Sequence, residues 1–150
     1  MHAPAPSQHQ STSGREVVVG APRKPLIFVV EDHEFARKAL AELLTTLGHD
    51  VIEASNGREA LAVLARGARP DLILLDLLMP VMDGWEFMKR QRRDWRLCTI
   101  PTIVVTGVAS YDPRCLEMPV VRLLPKPYTA EQLMAAIEAE CSPPSTRHSA

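Results

Sequence analysis

The stretch from Asp71 to Gly84, DLILLDLLMPVMDG, decides how the chain is read. Leu72 to Leu75 form an unbroken apolar run into Asp76, and a second apolar stretch, interrupted by Pro80, ends at Asp83-Gly84. A short continuous apolar run is the pattern of a strand covered on both faces, as in a parallel sheet. Proline has no N–H to offer a ladder, so the strand stops near Asp76 and gives way to a turn. A carboxylate is thereby set at the carboxyl end of a central strand, the edge where open α/β sheets build their ligand sites.

On both sides of this stretch, strand and helix patterns alternate. Leu26-Ile27-Phe28-Val29-Val30 is another buried-strand run and ends in Glu31-Asp32. Phe35, Ala36, Ala39, Leu40, Leu43, Leu44 and Leu47 then recur at helical spacing, predicting an amphipathic helix stopped at Gly48. Asp50 to Ala54 reads as a short strand. Asn56 and Glu59 have capping-box spacing and open a second helix over Ala60, Leu61, Val63 and Leu64, ending near Gly67. Asp83 with Glu86 opens a third, through about Trp95. Ile100 to Val105 is the fourth strand and ends in Thr106-Gly107. Pro113 and Pro119 leave room only for a short or distorted fourth helix. Val120 to Leu124 is a fifth strand, and Pro125-Lys126-Pro127 comes directly after it. Thr129 with Gln132 caps a last helix over Leu133, Met134 and Ile137, ending near Cys141. This βα alternation implies an α/β domain, a doubly wound parallel sheet of five strands, over residues 25–141. The polar, proline-bearing stretches 1–24 and 142–150 read as flexible tails.

Composition narrows the function. The 150 residues are 46% hydrophobic with a net charge of −1, giving one domain with a real core and no global footprint for nucleic acid or anionic membrane. Three widely spaced cysteines (Cys98, Cys115, Cys141) without a C-x-x-C pattern fit neither a disulfide framework nor a zinc site; they are expected as small core or tail residues. No apolar run approaches a membrane span, and the N-terminus lacks a basic-then-apolar leader, so the cytoplasm is the expected location.

A parallel sheet brings the carboxyl ends of its strands to one edge, where Glu31, Asp32, Asp76, Thr106 and Lys126 would meet. Converging carboxylates raise each other's pKa unless a cation sits among them. Hard oxygen donors in an open site favour Mg²⁺. A metal, an ammonium and a hydroxyl around Asp76 make a place for a phosphoryl group, with Asp76 as either ligand or nucleophile. Taken singly, each residue has a plainer role. Glu31-Asp32 could cap the first helix, Thr106 could belong to a turn and Lys126 could be a solvated charge. The coincidence of all of them at matching strand ends favours the site.

On these residues, together with the D-x-x-M-P-x-x-D-G run and the spacings from Asp32 to Asp76 and from Asp76 to Thr106, the chain resembles a response-regulator receiver domain of two-component signalling. The resemblance covers about residues 25–141 and is nearest to the single-domain, chemotaxis-regulator-like members. It implies a flavodoxin-like (βα)5 fold with strand order 2-1-3-4-5. It also implies that Asp76 accepts a phosphoryl group from a histidine kinase or phosphotransfer protein. Asp32, Asp76 and the Leu78 backbone carbonyl would hold Mg²⁺ directly, and Glu31 through water. Thr106 and Lys126 would hold the phosphoryl oxygens, and the Lys126–Pro127 bond is often cis in the family.

Three positions depart from the family pattern. Leu123 stands where an aromatic residue usually accompanies the threonine in switching, so the usual switch cannot operate unchanged. Leu78 and Val108 occupy the positions that tune phosphoryl hydrolysis, and neither can orient a water, so slow self-dephosphorylation is expected. The leading expectation is a stand-alone, non-enzymatic receiver, monomeric or weakly dimeric. It would work through a kinase or phosphotransfer protein and an unidentified downstream target. A pseudo-receiver scaffold is the alternative; Leu78 disfavours an aspartyl phosphatase, which needs a second acid there. Acidic Glu31-Asp32 after the first strand disfavours a nucleotide binder. Lys89, Arg90, Arg92, Arg93 and Arg96, with Trp95, read as the solvated end of the third helix, with a phosphate or partner contact as the alternative. His33 reads as an early-helix residue and no ligand; Met79, Met82 and Met88 read as core and turn packing.

Overall fold

The apolar runs form the five strands that their pattern predicts: β1 Leu26–Val30, β2 Asp50–Ala54, β3 Leu72–Leu75, β4 Thr102–Thr106 and β5 Val121–Pro125. In this computed structural model, which describes residues 23–107, 112–117 and 121–141, they build one parallel sheet ordered β2-β1-β3-β4-β5. Four α-helices connect and cover them: α1 Glu34–Thr46, α2 Gly57–Ala65, α3 Gly84–Arg93 and α4 Ala130–Cys141. In place of the expected short or distorted fourth helix, the described part of that connection forms a 3₁₀ helix, Pro113–Glu117. The expected tails fall almost wholly outside the described residues, as do Val108, Pro119 and Val120.

Alternation along the strands divides the core between the two faces of the sheet. Phe28, Val30, Ile73, Leu75 and Val104 pack against Ala60 and Leu64 of α2 and Phe87 and Met88 of α3. Ile27, Val29, Leu72, Leu74 and Ile103 pack against Leu44 of α1 and Leu133 and Ile137 of α4. Each large side chain buried this way contributes about 1.5–3 kcal/mol. No helix among the described residues is long and apolar enough to cross a membrane.

Local signals set the element boundaries. Asn56 Oδ1 accepts from the Glu59 N–H at 2.9 Å, and Asp83 Oδ1 from the Glu86 N–H at 2.9 Å, so both helices begin where expected. Only Thr129 and Gln132 cap reciprocally, at 3.1 and 2.9 Å. Gly48 and Gly67, with φ of +92° and +106°, end α1 and α2.

Several expectations shift. The buried face of α1 centres on Leu40, Ala41 and Leu44, which leaves Ala39 exposed and Phe35 79% exposed. At 3.6 residues per turn Phe35 lies about 140° around the helix from Leu40, as Ala39 does from Leu44. α3 stops at Arg93, because the Asp94 carboxylate turns back to accept from Arg96 N and Nε at 2.9 and 3.0 Å. Trp95 is thereby left outside the helix and exposed. β4 starts at Thr102 because Ile100 closes a turn onto the Leu97 carbonyl at 3.1 Å and Pro101 cannot donate to the ladder. Cys98 is exposed on that connection, neither core nor tail; Cys141 packs at the core margin, where burial pushes its thiol up. Arg23, grouped by composition with the tail, pairs with Asp71 at 2.6 Å.

Candidate functional site

The register of the sheet places the acids. Val30 pairs with Leu75, so the next residues, Glu31 and Asp76, leave β1 and β3 side by side; the Asp76 N–H still donates to the Val30 carbonyl at 3.0 Å. Leu75 pairs with Val104, so Thr106 lies slightly farther along the same edge, 1% exposed. β5 ends opposite Thr106, and the Lys126 N–H donates to the Thr106 carbonyl at 3.1 Å, which carries Lys126 over the β1–β3 mouth. The Lys126–Pro127 peptide bond is cis, as the resemblance implied.

Glu31, Asp32 and Asp76 each bring a carboxylate oxygen into one group, all within 4.8 Å of one another. Glu31 and Asp76 are 7% and 9% exposed. Lys126 Nζ lies 2.9 Å from Glu31 Oε2 and 3.3 Å from Asp76 Oδ2. One ammonium thus contacts two of the three carboxylates, Glu31 and Asp76. Burial, reinforced by the Asp76 charge and only partly offset by the Lys126 hydrogen bond, raises the Glu31 pKa. Burial also acts to lower the Lys126 pKa, but the Glu31 hydrogen bond and both carboxylate charges outweigh it and raise the pKa overall. The raised Lys126 pKa, and the Asp76 charge acting on Glu31, reflect negative charge gathered at this edge that an added cation would relieve. The donor set is oxygen only, the chemistry that hard divalent cations take, so the residues present fit Mg²⁺. A small cavity of about 40 Å³ lies beside Glu31, Asp76 and Lys126, lined otherwise by apolar side chains such as Leu40 and Leu74.

The structure therefore brings together Glu31, Asp32, Asp76 and Lys126, with Thr106 buried on the same edge. Leu78 turns its N–H onto Asp76 Oδ1 at 3.3 Å and its side chain to solvent. Val108 lies outside the described residues.

Three contributors carry no sequence signal of the expected kind. The plainer reading of Glu31-Asp32 as helix caps fails, because the His33 ring accepts from the Ala36 N–H at 3.2 Å and caps α1 instead. Neither acid caps the helix, and Glu31 Oε1 instead accepts from the His33 N–H at 3.2 Å. Arg37 Nη1 donates to the Glu31 carbonyl at 2.9 Å and pins the backbone beneath its carboxylate. Gly84 packs so tightly that a Cβ there would stand 2.5 Å from the Asp76 carbonyl oxygen. The D-G pair was legible as a cap, and the close approach behind it was not.

Comparison with known proteins agrees with this geometry. The family model of the response regulator receiver domain matches residues 27–138. The chain is 32% identical over 119 residues to the probable transcriptional regulator ycf27 of Porphyridium aerugineum, covering 78% of this chain and 48% of the relative. It thus spans about half the length of that relative. It is 42% identical over 83 residues to the polar-differentiation response regulator DivK of Brucella anthropi, covering 55% of this chain and 67% of the relative. The receiver domain of sensor histidine kinase PA1611 from Pseudomonas aeruginosa PAO1, solved with a magnesium ion in its active-site cleft, superimposes with a TM-score of 0.73. That pair is 26% identical and covers 81% of this chain and 100% of the other.

Proposed function

We propose, from the premise that this chain belongs to the response-regulator receiver family, that Asp76 is its phosphoacceptor and that Mg²⁺ is its cofactor. The observation that carries the reading is the placement of Asp76. It ends the central strand 9% exposed, grouped with Glu31 and Asp32 and 3.3 Å from an ammonium.

In the proposed reaction an Asp76 carboxylate oxygen attacks the phosphorus of a phosphohistidine on a kinase or phosphotransfer protein. A P–O bond forms, the P–N bond breaks, and the electron pair returns to the imidazole nitrogen, which takes up a proton. Lys126 releases Asp76 Oδ2 and holds a phosphoryl oxygen, and the Thr106 hydroxyl donates to another. Asp32, Asp76 and the Leu78 carbonyl would hold Mg²⁺, with Glu31 acting through water; when bound, the ion neutralises charge on the phosphoryl oxygens. Beside this mouth, Phe35 and Leu78 are exposed on the segments that carry the acids, which suits a protein donor better than a small molecule.

The chain's own chemistry is limited to gaining and losing this phosphoryl group, and its output is a phosphorylation-dependent protein contact. Leu78 orients no water, which supports slow loss of the phosphoryl group. Leu123 is partly exposed where the family keeps an aromatic switch residue, so the conformational response differs from the usual one. Incubation with acetyl phosphate and Mg²⁺ tests the reading. The wild type is expected to gain one phosphoryl mass, and Asp76→Asn or a chelator should abolish the gain. An unlabelled wild type would support the pseudo-receiver scaffold instead.

A further inference from the structure

We propose that the groove between α3 and the 3₁₀ helix is a docking site for an acidic peptide segment of a partner protein. The groove holds about 690 Å³ and lies away from the acidic centre. Trp85, Lys89, Arg92 and Arg93 line one wall at helical spacing on one face of α3. Arg114 and Glu117 of the 3₁₀ helix line the other. The Arg114 guanidinium stacks 4.3 Å from the centre of the Trp85 ring and pairs with Asp112, which fixes the two walls against each other.

The cations differ in what they face. On the same helix Arg90 pairs with Glu86 at 2.9 Å, and just beyond it Arg96 pairs with Asp94 at 2.8 Å. Lys89, Arg92 and Arg93 have no ion pair or hydrogen bond among the described residues. The groove therefore presents three positive charges without an ion-paired or hydrogen-bonded partner among the described residues, beside an indole, in a chain whose net charge is −1. Segments 108–111 and 118–120, which flank the 3₁₀ helix in sequence, carry no charged residue, and the stretches 1–22 and 142–150 contain one acid, Glu16. None of these segments holds an acidic run.

The charge pattern selects the occupant. Beyond the groove the basic surface continues through Arg90 and Arg96, but these are paired with Glu86 and Asp94, so it offers little free charge to a nucleic-acid backbone. A few carboxylates spaced around an apolar side chain match three cations and an indole. This docking is separate from the chemistry at Asp76.

Fluorescence anisotropy of a labelled glutamate–leucine peptide, titrated at low salt with the full chain, tests the proposal. The wild type should bind the peptide, and added salt should weaken binding. Arg92→Glu/Arg93→Glu should weaken it at least tenfold, and Lys24→Glu, an exposed charge distant in sequence from the groove, should not. Circular dichroism and acetyl phosphate labelling should remain as in the wild type, which separates lost docking from lost folding or lost chemistry. Absence of peptide binding, equal binding by the double variant, or tighter binding of a single-stranded oligonucleotide would overturn the proposal. So would a dimer abolished by the same substitutions, which would assign the groove to a second copy.

Discussion

The loop after β3 and Gly107 after β4 leave the same edge of the sheet, yet their surroundings are opposite. After β3, backbone groups lock the turn: Gly84 N–H donates to the Leu77 carbonyl at 2.9 Å, Gly57 N–H to the Met82 carbonyl at 3.0 Å, and Asp83 caps α3. Added Cβ atoms at Gly57 and Gly84 would meet neighbours at 2.9 and 2.5 Å. After β4, a Cβ at Gly107 would meet nothing within 4 Å, and the next element among the described residues is a single short 3₁₀ helix. Tight packing therefore surrounds the residue proposed to carry the phosphoryl group, and open space surrounds the start of the segment where the family's pattern is altered. The difference divides the edge: close backbone packing holds the geometry at Asp76, and no such packing confines Gly107 beside Thr106.

The same substitution made in both places is the most severe way to break this contrast. Gly84→Ala forces a methyl group against the Asp76 carbonyl and the Leu77 Cα, both of them backbone, so nothing nearby can yield cheaply. Overpacking of this kind costs about 2–3 kcal/mol, more than the helix propensity that Ala gains at this position. Gly107→Ala should change stability by no more than about 0.5 kcal/mol. Urea denaturation of the two variants reads the difference directly. Equal losses would mean that the two segments are packed alike.

Legibility in the sequence divides along the same line. Strands ending in acids were legible because a parallel sheet must bring those ends together, and Asp76 was marked by one apolar run and one proline. The last helix was legible because Thr129 and Gln132 cap it reciprocally. Less local features were hidden. His33 is no preferred cap by type, so its release of Glu31-Asp32 from capping had no signal. Phe35 looked like core because spacing alone does not fix which side of α1 meets the sheet. The α3 groove joins Trp85 to Arg114 across β4, a meeting that only the tertiary fold creates.

A milder test sharpens the electrostatic side of the contrast. The packed side also crowds Glu31, Asp32 and Asp76 together, with one ammonium against Glu31 and Asp76. Asp32→Asn removes one negative charge from that group, and in magnesium-free buffer it should not destabilise the fold. Millimolar Mg²⁺ should raise the melting temperature of the wild type and have little effect on the variant, because a ligand that binds only the folded state stabilises it. A loss of stability without the metal would show that Asp32 makes a structural contact that outweighs its repulsion.

The smallest expected effect lies at Val81, inside the tight loop itself. Val81 has φ of +71°, a left-handed conformation that a β-branched residue rarely adopts, and its side chain is 74% exposed. Exposure leaves no buried contact to compensate the strain, so the conformation is imposed by the hydrogen bonds on either side of it. Relief of the left-handed penalty, roughly 1–2 kcal/mol, must be set against the greater freedom of glycine in the unfolded chain, about 0.5–1 kcal/mol. Val81→Gly should therefore stabilise the protein by about 0.5 kcal/mol, a rise of a degree or two in Tm. Val81→Ala removes the branch but keeps a Cβ, and should fall between the two. A lower Tm for Val81→Gly would mean that the valine side chain itself helps hold the loop, and the rigidity around Asp76 would then rest on more than its backbone.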